Sequence, residues 1–398
     1  MKYKKIKLML FVFFLISILF FSNDFGLIDI ERTAIITALA IDLEDNGEYT
    51  VTAQIAVPEA TDQNTESKRA QISGTGGTVA GAIKKIGDLS GWYPNMNFCN
   101  IIIIGNELAS TNVMKVLDYF SRTFRLQDSA LIAMTDKKAK DVLIASTPFD
   151  NISSFALQKI IIKNTGFEND VITMDIKNFC TGYYSSNSSS YMPVIKILEQ
   201  KQESSYSTKN SAQSKQSGKN GEEQGSNLFL ANTTALFKNG VKVGELDSGQ
   251  SFVFNTLIRN MKGALFELNG ITNNESGNNA LLNVYRNKRK ISLDATENEI
   301  IYKIDLELYC RMSDRNSENY EQILSSNVPL QEDAKKKAEE FFTSKINELI
   351  ETEIQTECDF LNIKKTLYRK HFKYYSTLKD NFLTLLKPKI SVTVNGQV

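Results

Sequence analysis

Histidine and cysteine are scarce in this chain. One histidine, His371, occurs in 398 residues. A lone histidine cannot build a multi-histidine metal site, so a surface or packing role is expected. The four cysteines, Cys99, Cys180, Cys310 and Cys358, show no CxxC spacing, which argues against a clustered metal site and a dense disulfide framework. None is surrounded by a nucleophile motif. Cys99 and Cys310 sit in strand-like runs, where buried free thiols are expected. Export would permit a disulfide, and the spacing selects no pair. An excess of charge is also missing: 46 Lys and Arg balance 46 Asp and Glu. Four cations sit within residues 2–7, leaving 42 against 46 elsewhere, so nucleic acid has no electrostatic case. No GxGxxG or Walker loop follows any strand-like run, so a nucleotide site has no support. No catalytic, cofactor-binding or metal-binding residue is assigned.

What is present begins at the N-terminus. Lys2, Lys4, Lys5 and Lys7 precede an uncharged run over residues 8–21. A cationic start followed by such a run is an export signal, with the lysines left on the cytoplasmic side. Small residues three apart, as a cleavage site needs, are lacking: Phe20 precedes Ser22 and Asp24 precedes Gly26. The expectation is an uncleaved, short membrane-anchor helix, with cleavage as the alternative. As helix the run spans roughly 21 Å against a hydrocarbon core of about 30 Å. Snorkelling lysines and flanking residues narrow that gap.

Along the chain, residues 34–41 and the alternating residues 49–57 predict a hairpin with Asn46-Gly47 at the turn. Asp42, Glu44 and Asp45 lack a calcium-loop pattern and are read as a solvated turn. Residues 61–77 are polar and predict a loop. A helix follows from Thr78, its face formed by Val79, Ala82, Ile83, Ile86 and Leu89, and Gly91-Trp92-Tyr93-Pro94 ends it. Residues 98–104 predict a central strand, apolar on both faces. A helix from Gly105-Asn106 then carries Leu108, Val113, Val116, Leu117 and Phe120. Residues 130–134 predict a strand, and Asp136 an N-cap for the helix through Ala139, Val142 and Leu143. Alternating strands and helices make this an α/β domain. Ile152, Phe155, Ala156 and Ile160 predict a further helix, Met174, Ile176 and Phe179 a shorter one. Residues 191–198 predict an edge strand, because Pro193 lacks a donor.

Residues 199–227 are almost entirely polar and predict a disordered loop or linker. A second hairpin, 233–237 and 241–246, turns at Asn239-Gly240. A helix over 248–261, a strand over 264–268 and two long strands over 280–293 and 299–312 follow. Pro329 precedes a long helix over 330–358, with a stripe of Ala334, Ala338, Phe341, Phe342, Ile346, Leu349, Ile350 and Ile354. Its charges, Lys335 to Lys337 with Glu339 and Glu340, read as a solvated face. A helix over 363–378 and a strand over 389–394 close the chain. The whole is expected to be a multidomain α+β or α/β protein with mixed sheets, packed helices and an N-terminal membrane anchor helix. The expected divisions are 1–23 signal or anchor, 24–148 N-terminal α/β domain, 149–198 middle domain, 199–228 polar linker and 229–398 C-terminal α+β domain.

Several segments resemble the C subunit of bacterial spore germinant receptors. They are Glu31-Arg-Thr-Ala-Ile-Ile-Thr-Ala-Leu-Ala-Ile-Asp42, Gly77-Thr-Val-Ala-Gly-Ala-Ile83, Asn100-Ile-Ile-Ile-Ile-Gly-Asn-Glu-Leu-Ala109 and Val116-Leu-Asp-Tyr-Phe-Ser-Arg122. Lys138-Ala-Lys-Asp-Val-Leu143, Ala235-Leu-Phe-Lys-Asn-Gly-Val-Lys-Val-Gly-Glu-Leu246, Met261-Lys-Gly263 and Leu367-Tyr-Arg369 continue the order. One departure is plain: the family's signal ends in a lipobox cysteine, and here residues 20–26 contain none. A diacylglycerol anchor has no thiol before Cys99.

The resemblance implies three α/β-type domains and a non-catalytic subunit on the outer face of the spore inner membrane. It also implies integral-membrane A and B subunits as partners in germinant-triggered germination. An exported small-molecule binding protein is the alternative, with Trp92, Tyr93, Tyr183 and Tyr184 as candidate pocket residues. An exported hydrolase has the weaker case: the 46 acidic residues leave a carboxylate pair open, but no activating partner arrangement is visible.

Overall fold

The computed structural model describes residues 2–22, 33–56, 69–122, 126–145, 147, 152–162, 172–199, 227–268, 279–315, 330–379 and 381–396. The chain opens with helix α1 (Lys2–Ser22). Ile6, Leu8, Phe11, Phe13, Phe14 and Ile16 on it are all exposed. Among the described residues no helix is long and apolar enough to cross a membrane.

The first sheet begins with β1 (Thr33–Leu43) and β2 (Tyr49–Ala56), antiparallel about a turn in which Gly47 takes φ +81°. β3 (Arg69–Gly76) extends this hairpin at the sheet edge, where a loop was expected. Its polar residues suit the edge: Thr52 and Ser73 pair across the strands at 2.9 Å. Helix α2 (Val79–Ser90) starts at Thr78, whose hydroxyl accepts the Gly81 N–H, and ends at left-handed Gly91. Val79, Ala82, Ile83 and Ile86 are buried, whereas Leu89 faces solvent. Each large side chain so buried contributes roughly 1.5–3 kcal/mol.

The short β4 (Tyr93–Asn95) and then β5 (Ile101–Ile104) lie parallel to β1. All four isoleucines of β5 are fully buried, two on each face, as a central strand requires. Phe98, expected inside this strand, precedes it and is exposed. The single helix expected next is two, α3 (Asn106–Ala109) and α4 (Met114–Arg122), separated at Asn112, whose side-chain oxygen accepts the Met114 N–H. β6 (Leu131–Thr135), α5 (Ala139–Ile144), α6 (Ser153–Ile162) and α7 (Ile176–Tyr183) follow. On α6 the buried residues are Ser153, Ser154, Ala156, Leu157 and Ile161, not Phe155.

β7 (Ser189–Glu199) pairs with β6 on one side and β8 (Asn227–Lys238) on the other, so the expected edge strand is interior. Pro193 is accommodated because β6 reaches β7 only at Val194 and Ile195. β7 and β8 pair out to Glu199 and Asn227. Residues 200–226, outside the described residues, therefore join two neighbouring strands. The expected boundary at 148 also lies outside them. β9 (Val241–Leu246) completes the nine-stranded mixed sheet, ordered β3-β2-β1-β5-β6-β7-β8-β9 with β4 beside β1. Asn239 and Gly240 make the turn with φ of 52° and 78°. Helices α2, α3, α4 and α7 cover one face, α5 and α6 the other.

Helix α8 (Ser248–Ile258) opens with a capping box between Asp247 and Gln250. It ends three residues before Met261. A second sheet is built from β10 (Ala264–Leu268), β11 (Ala280–Ala295), β12 (Ile300–Arg315) and β13 (Leu386–Gly396). The first three form an antiparallel meander, and β13 adds parallel to β12. The parallel return is made by α9 (Glu332–Thr356), α10 (Ile363–Lys370) and α11 (Phe372–Leu378). Ala334, Ala338, Phe342, Ile346 and Ile350 recur every fourth residue as the buried stripe of α9; Ile354 is exposed. The chain is thus mixed α+β with two mixed sheets and eleven helices among the described residues. Leu236 and Leu246 of the first sheet pack into the core of the second, forming one seam.

Candidate functional site

Three buried carboxylates, Asp42, Asp359 and Glu353, organise the polar interior. Asp42, at the end of β1, is 3% exposed rather than part of a solvated turn. Its Oδ1 accepts the Ala139 N–H at 2.7 Å and its Oδ2 the Lys140 N–H at 3.0 Å. The cap of α5 therefore comes from 97 residues upstream, and Asp136 does not supply it. Burial pushes the Asp42 carboxyl above its usual value, and the two backbone donors oppose that shift. Gly105 closes the cluster: a Cβ there would meet Asp42 Oδ1 at 2.1 Å. Its N–H donates to Ile41 O, and the Asn106 N–H to Lys137 O. Glu44 accepts from Lys138 at 3.1 Å, which holds its carboxyl below the usual range. So Asp42 and Glu44 are committed to protein donors. Among the described residues no group of acids, cysteines and histidine is arranged to hold a metal ion.

The second carboxylate, Asp359, sits at the seam between the sheets. Its Oδ1 accepts the Ile363 N–H at 2.5 Å and its Oδ2 the Lys364 N–H at 3.0 Å, capping α10 from outside. Asn187, just before β7, donates from Nδ2 to the same Oδ2 at 2.7 Å. The Asp359 N–H donates to Ser189 Oγ, and the Cys358 thiol to Phe237 O. Lys238 and Glu357 pair at 2.6 Å on the rim. Glu353 of α9, fully buried, accepts the Leu361 N–H with one oxygen; the other has no donor. Burial, then the adjacent Asp359, drives Glu353 well above the usual carboxylate value. A neutral Glu353 donating from its second oxygen to Asp359 satisfies both groups. The pair locks α9 and α10 onto the first sheet and leaves neither carboxyl open to a substrate.

Trp92 and Tyr93 line an open groove of about 740 Å³ between α2 and α4, with Ile83, Met96 and Tyr119. Lys84 and Asp88, 2.6 Å apart, stand on its rim. Tyr183 and Tyr184 do not line it. The Tyr183 hydroxyl accepts from Asn112 Nδ2 at 3.4 Å, and Tyr184 is 67% exposed. His371 packs, its Nε2 2.6 Å from Leu293 O. All four cysteines are free and buried. Lys335 and Lys337 pair with Glu332 and Glu340 on α9, while Glu339 accepts the Val394 N–H of β13. Sequence reasoning missed Asp42 and Asp359. The available signal was an acid flanked by apolar residues on both sides, Ile41-Asp42-Leu43 and Cys358-Asp359-Phe360.

Two family profiles match the chain. "Spore germination protein N-terminal domain" covers residues 27–197, and "Spore germination B3/GerAC like, C-terminal" covers residues 232–398. The solved structure described as "Crystal Structure of the GerBC protein" is similar in fold, with a TM-score of 0.53 and 14% identity. The similarity spans 93% of this chain and 100% of that one. No curated protein matches.

Proposed function

The chain belongs to the spore germination GerAC family, the C subunits of germinant receptors, and on that premise we propose that it supports germinant-triggered germination through contacts with the integral-membrane A and B subunits. The carrying observation is the two family profiles, met in order and covering nearly all of the chain beyond its first helix. The subunit is non-catalytic in this reading. Its buried acids Asp42 and Asp359 are engaged in capping α5 and α10. It stands on the outer face of the spore inner membrane, held by the cationic, apolar first helix in place of a lipid. Lys2, Lys4, Lys5 and Lys7 and the exposed apolar side chains of α1 support that placement. Residues 200–226, polar in sequence, connect the two family segments between β7 and β8.

Purified spore membranes test the reading. Intact protein retaining residues 1–22 and co-purifying with A-type and B-type subunits is expected. Recovery of a chain starting near Asn23, free of both partners, would reject it.

A second reading rests on the groove at Trp92, Tyr93 and Tyr119: an exported binding protein for a small apolar or aromatic ligand. Ligand-dependent thermal stabilisation that is lost on Trp92→Ala would favour it.

A further inference from the structure

Helices α10 and α11 present a surface that the seam does not use. Ile363, Leu367 and Leu378 face the core. On the outside, Phe372 is 66% and Tyr368 48% exposed. They cluster with Tyr375: ring centroids lie 5.4 Å apart for Tyr368 and Phe372, and 5.0 Å for Tyr368 and Tyr375. On and just after the same two helices Lys365, Arg369, Lys370, Lys373 and Lys379 are all exposed. No acidic residue occurs from Ile363 to Lys379. Asp294, the acid on β11 that faces Lys370 and His371, is bonded to Lys303 instead. A balanced chain thus gathers cations and exposed rings on one helical pair.

We propose that the α10–α11 face is a docking surface for an anionic lipid bilayer, its rings entering the headgroup layer and its lysines and arginine binding lipid phosphates. Aromatic side chains with an apolar body favour the depth of the headgroups. Each cation near an anionic leaflet adds roughly fivefold to binding. Lysine makes up four of the five exposed cations, and lysine is depleted at protein–protein interfaces, which argues against a protein partner. Tyr368 packs edge-on against both Phe372 and Tyr375, and those two rings lie nearly parallel with centroids 6.5 Å apart, so the ring faces meet one another rather than form the open stacking platform that single-stranded nucleic acid needs. The inference goes beyond the receptor reading, because the patch would bind lipid whether or not the A and B subunits are present.

The test uses the full chain with Trp92→Phe and Phe372→Trp, which leaves one indole on the patch. The protein is mixed with vesicles of phosphatidylcholine alone, or with one third phosphatidylglycerol. A blue-shifted emission, quenched by brominated lipid and reversed by salt, is expected only with phosphatidylglycerol. Lys365→Gln and Lys373→Gln should each weaken this docking about fivefold. Insertion of the first helix alone would leave the indole in water. Unchanged emission on both vesicles would overturn the proposal, whatever the partners. So would a shift produced by a single-stranded oligonucleotide and not by lipid. Circular dichroism confirms that each variant is folded.

Discussion

The backbone of Gly105 lies against the carboxylate of Asp42 so closely that a single methyl on Gly105 would sit 2.1 Å from Asp42 Oδ1. Gly105 has φ −72°, so the glycine is needed for space and not for backbone freedom. Three separated segments meet there: the end of β1, the start of α3 and the start of α5. Asp42→Ala leaves two donors of α5 without an acceptor and should destabilise by about 2–4 kcal/mol. Asp42→Asn keeps one acceptor and should cost about half as much. Gly105→Ala should cost about 2–4 kcal/mol by displacing the carboxylate. In the Asp42→Ala background it should cost clearly less, because the atom it strikes is gone. Urea unfolding of the four proteins measures the coupling; strict additivity would reject the arrangement.

A second close approach holds the sheet edge. A Cβ on Gly74 of β3 would meet Ala82 O of α2 at 2.2 Å. Backbone cannot yield as a side chain can, so α2 would have to lift from β3. Gly74→Ala is expected to destabilise by about 2–4 kcal/mol. At Gly77 nothing lies within 4 Å of the corresponding position, so Gly77→Ala should cost much less. Equal losses in thermal unfolding would contradict this packing.

These contacts also mark where sequence reading runs out. Both hairpins were legible because Asn46-Gly47 and Asn239-Gly240 encode their turns locally. The long helix was legible because its apolar residues recur every fourth position from Ala334 to Ile350. β3 was not, because an edge strand stabilised by threonine, serine and glycine has no apolar alternation. Pro193 misled because the general rule places proline at edges, whereas here β6 pairs with β7 only at Val194 and Ile195 and gives its earlier residues to Met174 and Asp175. Asp42 and Asp359 were invisible as caps because the helices they cap are set by tertiary approach; Asp42 lies 97 residues from Ala139. In the candidate site, Trp92 and Tyr93 were found as a pair, but the groove's other wall, Tyr119, is brought in only by the fold.

The thiols offer a solvent-access test. Burial pushes Cys99, Cys310 and Cys358 up to about 12 and Cys180 to about 11. At pH 8 the thiolate fraction of the first three is on the order of a thousandfold below that of an exposed cysteine. Ellman's reagent should therefore label the native protein slowly and all four thiols rapidly in guanidinium. Fast labelling of even one thiol in the native state would show the seam or a sheet core to be open. Mobility on gels should be the same with and without reductant.

The seam should carry a distinctive pH dependence. Glu353 has its folded carboxyl raised above the usual value, by burial first and by Asp359 second. A carboxyl raised on folding binds more protons in the native state than in the unfolded one. Its contribution is complete below the unfolded value near 4.5 and is lost as pH rises through the folded value. Glu353→Gln keeps a donor for Asp359 without a proton to lose. Below about pH 4.5 the stability difference between the two proteins should be flat. Above it, the Gln protein should gain on the parent with a slope approaching about 1.4 kcal/mol per pH unit until Glu353 ionises. Many carboxyls on the surface shift the other way, among them Glu44, Glu299 and Glu307, but they are common to both proteins and cancel in the difference. Asn187→Ala removes a donor that favours ionised Asp359 and should cost about 1–3 kcal/mol. That cost should shrink at low pH, where Asp359 is protonated. A difference curve with no slope between pH 4.5 and 7 would mean that Glu353 is ionised in the folded protein, and the seam would then need another partner for its second oxygen.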